Sequence, residues 1–228
     1  LLHKQEFFLK VFMKLALVFP GQGSQFVGMG QDFAEEFDVS RQVFDDLDKI
    51  LGRNLSKTIF KGPIDELTLT TNSQPSIMAV SIAIFNAIKK NNLLNLEQVS
   101  AVAGHSLGEY SALVANDSLD FVSAVKLLKV RSTAMQESMP IGTGGMAAVI
   151  GKSIEEIELI LPKLRELGFI SIANDNADGQ VVLSGEIKPI DYLCQNSKEF
   201  EIKRVLKLPV SAPFHCDLIT NASEKLSN

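Results

Sequence analysis

The chain has 228 residues, of which 46% are hydrophobic and 21% charged, and a net charge of −5. That length and composition suit one or two globular domains with a substantial core. The acidic balance argues against nucleic acid as a main partner, and no apolar run reaches membrane-spanning length.

The opening LLHKQEFFLKVFMKLALVF is not a secretory signal, because Lys10 and Lys14 interrupt it and no small-residue cleavage site follows. Met13 opens a sensible strand, so residues 1–12 are expected to be a non-native extension that carries no fold. Leu15–Phe19 reads as a buried strand stopped by Pro20. Gly21 and Gly23 follow, but the third glycine of a dinucleotide fingerprint would fall at Phe26, which excludes that reading. What remains is an ordinary turn, or a tight loop bringing backbone N–H groups and Gln22 to the strand's C-terminal end, where open α/β sheets bind ligands. Residues 28–51 read as helical, with Ser40 as N-cap and Gly52 as stop. After the Gly62-Pro63 break, a helix is expected from Ser73 to about Lys90, with Pro75 in its first turn. Its apolar face comprises Ile77, Val80, Ser81, Ile84, Ala87 and Ile88.

Residues 98–116, QVSAVAGHSLGEYSALVAN, organise the rest. A short apolar strand runs into Gly104-His105-Ser106-Leu107-Gly108, and a helix follows. Strand, tight turn and helix with a serine at the apex is the pattern of a nucleophile elbow. The glycines allow the bend and the close approach of helix to strand. The N–H of Leu107, at the helix N-terminus, is placed to stabilise an oxyanion on an acyl group carried by Ser106.

Asp120 caps the next helix, whose stripe is Phe121, Ala124, Val125, Leu128 and Met135. Arg131 falls on the stripe side. It pairs with some carboxylate, snorkels to the surface, or grips a substrate carboxylate, and spacing alone favours the first two. Pro140 and Gly142-Thr143-Gly144-Gly145 mark the clearest break. Beyond it come a strand over Met146–Ile150, a helix capped by Ser153 with Glu156 and running to Gly168 with Pro162 kinking or shortening it, and strands Phe169–Ala173 and Gln180–Ser184 around the loop NDNADG. A helix over Ile187–Asn196 and a strand over Ile202–Leu208 complete a β-α-β-β-α-β order, the ferredoxin-like split unit. The chain then returns as PVSAPFHCDLI and ends in a helix from Asp217, with Leu218, Ala222 and Leu226 along one face.

Three histidines exist. His3 lies in the extension and the His105 ring should point away from Ser106, which leaves His215 as the base for the serine. Cys216 faces the other way from His215 in an extended segment, so a Cys–His pair is discounted. Cys194 and Cys216 lack metal-ligand spacing and read as free thiols in a reducing compartment.

GQGSQ, GHSLGEYSAL, RSTAMQE, GTGGMAAVIG, NDNADGQVVLSG and PVSAPFH, in that order from about Met13 to the end, together resemble the malonyl-CoA:acyl-carrier-protein transacylase family and the acyltransferase domains of fatty-acid and polyketide synthases. The resemblance implies an α/β fold. A large α/β-hydrolase-like subdomain with a parallel core sheet would span 13–139 and resume at 209–228, around an inserted ferredoxin-like subdomain over 140–208. Family members continue past the matching histidine, so the C-terminal part of the large subdomain is expected to be missing. By the same resemblance Ser106 takes a malonyl ester, His215 is the base, the N–H groups of Leu107 and Gln22 form the oxyanion hole, Arg131 holds the malonyl carboxylate, and Asn174 lines the cleft. No metal or cofactor is implied. The substrates would be malonyl-CoA and holo acyl carrier protein, the chain a monomer, and the compartment the cytoplasm or an organelle matrix. The competing expectations are an esterase, which needs an acid such as Asp175, Asp178 or Asp191 for its triad, and an inactive truncated remnant.

Overall fold

The computed structural model describes residues 14–140, 142–210 and 212–227. The expected extension over 1–12 and the start at Met13 lie outside the described residues. Leu15–Phe19 forms strand β1. Two helices follow where the pattern suggested one, Gln31–Glu36 (α1) and Asp38–Leu51 (α2). The break is at Phe37, whose backbone is extended. Arg41 reaches back to the carbonyls of Ala34 and Glu35, each at 3.1 Å, and satisfies the end of α1. Ser40 is therefore not a cap. It lies buried within α2 and donates to the carbonyl of Ala83 at 2.7 Å. Gly52 does close α2 in the left-handed conformation, at φ 67°.

Leu55–Lys61 (α3) and Ile64–Thr68 (α4) lead into the long helix Thr70–Lys90 (α5). This helix starts ahead of the expected Ser73, so Pro75 falls in its second turn. The missing proline N–H frees the carbonyl of Thr71, and Arg53 Nη2 donates to it at 3.0 Å. Val99–Gly104 (β2) pairs parallel with β1, Phe19 opposite Gly104. Helices Gly108–Ala115 (α6) and Phe121–Glu137 (α7) follow, the latter capped by Asp120, whose carboxylate accepts from the Ser123 N–H at 2.9 Å. Because α5 packs against α2, α6 and α7 at once, its buried face is wider than one stripe. Met78, Ala79, Ile82, Ala83 and Phe85 are buried, while Val80, Ser81, Ile84 and Ile88 of the expected face are only half-buried.

β1, expected to be buried, and its partner β2 are covered on one side. Phe19 is buried and Leu17 and Val102 pack on the core, but Val18 is 73% exposed and Ala101 and Ala103 are exposed. Among the described residues this sheet has two strands, so alternate side chains of β1 face no second layer.

The second sheet is antiparallel and four-stranded. Its strands are Gly144–Ile150 (β3), Ile170–Ala177 (β4), Gln180–Glu186 (β5) and Arg204–Lys207 (β6), in the spatial order β4-β5-β3-β6. Helices Ile154–Arg165 (α8) and Ile187–Gln195 (α9) cover one face. There Ala147, Val149, Val181 and Leu183 meet Ile157, Leu164, Ile190 and Leu193. Ser153 and Glu156 make the full capping box, and α8 stops at Arg165, short of Gly168. The stretch expected as the loop NDNADG is mostly strand. β4 continues to Ala177, with Asn174 opposite Val182 and the register slipping on either side of it. Asn and Asp are poor strand formers, which is why composition suggested a loop. β6 is shorter than the expected Ile202–Leu208.

Strand side chains alternate, so Met146, Ala148 and Val182 face the other way. They pack with Ala134 and Met135 of α7, with Ala212 and Phe214 of the returning chain, and with Ala222 of the last helix, Thr220–Ser227 (α10). A short helical turn over Asp217–Ile219 precedes α10. The returning loop is also pressed on β3: a Cβ on Gly144 would lie 2.5 Å from Pro213 Cδ.

Candidate active site

The turn between β2 and α6 is built by close contacts that allow no side chain. A Cβ on Gly104 would fall 1.9 Å from the carbonyl carbon of Gly108, and one on Gly108 would fall 2.4 Å from the carbonyl oxygen of Phe19. A Cβ on Gly21 would lie 2.6 Å from His105 Nδ1 and from its carbonyl oxygen. Elbow and Gly21 loop are thus locked together, which puts Gln22 beside the serine turn. Ser106 itself sits at φ 54°, a conformation that costs a non-glycine residue about 1–3 kcal/mol. His215 is in the same left-handed region, at φ 58°.

These two strained residues meet. Ser106 Oγ lies 2.9 Å from His215 Nε2. Arg131 Nη2 donates to the same Oγ at 3.0 Å, so the serine hydroxyl is held between an imidazole and a guanidinium. With Oγ accepting from arginine, its own proton is free to point to Nε2, and in that arrangement the neutral histidine carries its proton on Nδ1. Burial, then the charges of Arg131 and His105, push the His215 pKa below the ordinary histidine value. The imidazole is therefore in its basic form at neutral pH although it opens onto the cleft. Arg131 is half-buried, and burial lowers its pKa against the opposing pull of Tyr110 and Glu109. Its Cζ sits 5.9 Å from the Tyr110 ring centroid. Among the described residues no carboxylate makes an ion pair with it. Its second partner is a neutral one, Gln74 Oε1, at 2.7 Å from Nη1.

A cleft of about 300 Å³ opens over this arrangement. Gln22, Ser106, His215 and Asn174 line it, with Met146, Ala148 and Val182 of the four-stranded sheet as its apolar wall. Leu107 is fully buried at the start of α6. Gln22 is half-buried, and its side chain reaches Thr70 Oγ1 at 3.4 Å. Asn174 is on β4 rather than on a loop. Of the residues singled out from sequence, Gln22, Ser106, Asn174 and His215 thus line one cleft, Arg131 reaches it through Ser106, and Leu107 lies buried next to the serine in the chain. The His105 ring turns from the serine, as expected, with Nε2 at 3.1 Å from Asn176 Oδ1. Cys216 also turns away, its thiol 3.3 Å from the carbonyl of Pro213, and both cysteines are free. Among the described residues no cluster of His, Cys, Asp or Glu could hold a metal, and no helix is long and apolar enough to cross a membrane.

The acyl transferase domain family matches residues 16–228. The malonyl CoA-acyl carrier protein transacylase of Bacillus subtilis is 42% identical over 214 residues, covering 93% of this chain and 66% of that protein. An acyl-carrier-protein S-malonyltransferase from Bartonella henselae, solved by crystallography, superposes with a TM-score of 0.87 at 45% identity, covering 93% of this chain and 68% of that one. The chain belongs to the malonyl-CoA:acyl-carrier-protein transacylase family. A further solved member, a malonyl-transacylase in complex with the holo acyl-carrier protein of a type II PKS, has a TM-score of 0.87 and 39% identity, covering 94% of this chain and 68% of that one. The chain spans about two thirds of the length of the curated transacylases it matches.

Two residues at this transacylase-family site escaped sequence reasoning. Gln74 lies in the run Thr70 to Ser76, where Thr70, Asn72, Ser73, Gln74 and Ser76 are buried and Thr71 is half-buried. This polar cluster at the head of a long helix was the available signal, because burying polar groups is costly unless they serve a purpose. Asn176 had no comparable signal, since it reads as part of the loop NDNADG.

Proposed function

We propose that this chain carries the active site for moving a malonyl group from malonyl-CoA to the phosphopantetheine thiol of acyl carrier protein, feeding fatty-acid synthesis. Ser106 Oγ attacks the thioester carbonyl while His215 Nε2 takes its proton. The tetrahedral oxyanion sits against the N–H groups of Leu107 and Gln22. The C–S bond then breaks, His215 returns the proton to the departing coenzyme A sulfur, and malonyl-Ser106 remains. In the second step the carrier thiol gives its proton to His215 and attacks the ester, and Ser106 Oγ leaves with that proton. Arg131 moves from the hydroxyl to the malonyl carboxylate, and Asn174 lines the acyl channel. In this reading no metal or cofactor takes part. The chain acts as a monomer in the cytoplasm, with neither membrane nor nucleic acid as partner. Its large part is of the α/β-hydrolase type, split between 13–139 and 209–228, and the four-stranded sheet over 140–208 is a ferredoxin-like insertion.

The observation that carries this reading is the guanidinium at 3.0 Å from the nucleophile, held by a neutral amide and paired with no carboxylate among the described residues. A half-buried cation of that kind calls for an anionic acyl group. The carrier-protein complex of a solved relative supports the acceptor. An esterase triad finds no support, because the charges acting on His215 are both cationic and Asp191 is engaged by Lys207 at 2.5 Å. Intact mass after exposure to malonyl-CoA tests the proposal. One malonyl group should stay on Ser106 and be discharged on addition of holo carrier protein. Prompt loss of the ester to water with no carrier acylation would replace the transferase with an esterase, and no adduct at all would remove the activity from this chain.

A further inference from the structure

His215 keeps a backbone conformation that a histidine disfavours. Its φ is 58°, in the region that suits glycine, and from there the ring places Nε2 at 2.9 Å from Ser106 Oγ. Something must hold the loop in that shape. The restraint comes from both sides of His215, and each part of it runs to the four-stranded sheet.

On one side Pro213 is pressed against β3, where a Cβ on Gly144 would lie 2.5 Å from its ring. On the other side Cys216 is tied to β5. Ser184 is fully buried, on the face of β5 that also carries Val182, and its Oγ donates to Cys216 Sγ at 3.6 Å. Cys216 Sγ in turn donates to the carbonyl of Pro213 at 3.3 Å. Hydroxyl, thiol and carbonyl thus form a chain that spans the histidine from beneath. Burial raises the Cys216 pKa, so the thiol keeps the proton that its bond to Pro213 needs.

We propose that Cys216 is a positioning residue for the base: its thiol, anchored by the Ser184 hydroxyl, bridges to the Pro213 carbonyl and holds His215 in the left-handed conformation that brings Nε2 to the serine. A hydroxyl at position 216 could make both bonds, and an alkyl group neither. Without them the Pro213 carbonyl loses a partner and the loop relaxes toward an ordinary φ, which carries the ring off Ser106 Oγ. The sheet that forms the apolar wall of the cleft then also sets the place of the base. The inference rests on the reading of His215 as the base of malonyl transfer, and its test separates the two.

The test compares Cys216→Ser, Cys216→Ala and Ser184→Ala, each in the full chain. Acyl-serine formation is measured with malonyl-CoA and acetyl-CoA. Cys216→Ala should lower kcat about thirtyfold with either substrate. KM and the malonyl-to-acetyl ratio should stay within about twofold of wild type, because the bonds of Arg131 go to Gln74 and Ser106. Cys216→Ser should return kcat to within about threefold of wild type, with Ser184→Ala between the two. In substrate-free protein the His215 ring is titrated by NMR. Its midpoint is held down by burial and by the charges of Arg131 from α7 and His105 from the elbow, so it should rise in Cys216→Ala as the ring leaves that place. Wild-type kcat or an unmoved midpoint in Cys216→Ala overturns the proposal, and so does a Cys216→Ser enzyme as slow as Cys216→Ala. If Cys216→Ala fails to fold, infrared spectroscopy of the Cys194→Ser protein decides, since Cys216 is then the one thiol in the sequence. Its S–H stretch should lie below that of a free thiol, and a band at the free-thiol frequency overturns the proposal. If the wild-type chain forms no acyl-enzyme, the malonyl reading falls, and the titration and the S–H band alone judge Cys216.

Discussion

The four-stranded sheet and the two-stranded sheet treat their faces differently. β3 of the four-stranded sheet is buried along nearly its whole length, because α8 and α9 cover one side and the α7 end, the returning loop and α10 cover the other. β1 of the parallel pair alternates between core and solvent, with Val18 73% exposed. The candidate site uses one sheet for rigidity and the other for presentation. Met146, Ala148 and Val182 form a fixed apolar wall, and the serine projects from the end of β2 on a strained turn. The cleft is the seam between the two sheets, and there Ser106 and His215, 109 positions apart in the chain, meet at 2.9 Å. Two left-handed backbones persist there because each is pinned by packing, the serine turn by Gly104, Gly108 and Gly21, the histidine by buried Ala212 and Phe214.

The largest effect should come from cutting the seam chemically without disturbing either sheet. Ser106→Ala removes the hydroxyl that bridges His215 and Arg131 and should lower acyl transfer by about 10⁴-fold or more, with the thermal melt close to wild type. Retained transfer between thiols would remove Ser106 from the mechanism. The next effect sets the sheets against each other. Leu183 of β5, fully buried under α8 and α9, should cost about 2–5 kcal/mol when cut to alanine, seen as a lower denaturation midpoint. Val18→Thr, on the open face of β1, should stay within about 0.5 kcal/mol. Equal losses from the two would contradict the difference in closure. Absence of any cooperative transition in the wild-type chain would favour the remnant over the enzyme.

Features set by short-range rules were legible in the sequence. The Ser153–Glu156 capping box, the Asp120 cap and the Gly52 stop depend on residues within one turn and appear where expected. The elbow was legible for a different reason: a Cβ on Gly104 would fall 1.9 Å from the Gly108 backbone, so only glycine fits and packing is written directly into residue type. What failed was whatever a distant partner decided. Arg41 ends α1 by reaching back from the following helix, and Ser40 bonds to α5, so neither could be read from one helix alone. Asn174 and Asp175 are held in β4 by pairing with β5, against their own preference. Arg131 was ambiguous because spacing places a cation on a helix face and says nothing of what meets it. Its actual partners, Gln74 and Ser106, lie 57 and 25 positions away.

The smallest expected effect concerns the charge balance at the seam. His215 titrates below the ordinary histidine value of about 6.5, chiefly through burial and then through Arg131 and His105. Acylation of Ser106 needs the neutral imidazole, so the rate should be flat at neutral pH and fall as pH drops through that lowered midpoint. Arg131→Gln removes the second cause and should raise the midpoint, bringing the loss of activity closer to neutrality. Stability follows the same sign. The unfolded chain binds the proton more readily than the folded one, so this group's share of stability is complete at neutral pH. It declines as pH falls from the ordinary value toward the folded midpoint. Acetyl-CoA is the substrate to use for the profile, because its acyl group carries no carboxylate and the loss of the clamp does not confound the rate. A midpoint that stays put in Arg131→Gln would mean that burial by the four-stranded sheet's wall and the returning loop sets the base on its own. The open half of the molecule would then contribute the nucleophile without tuning its partner.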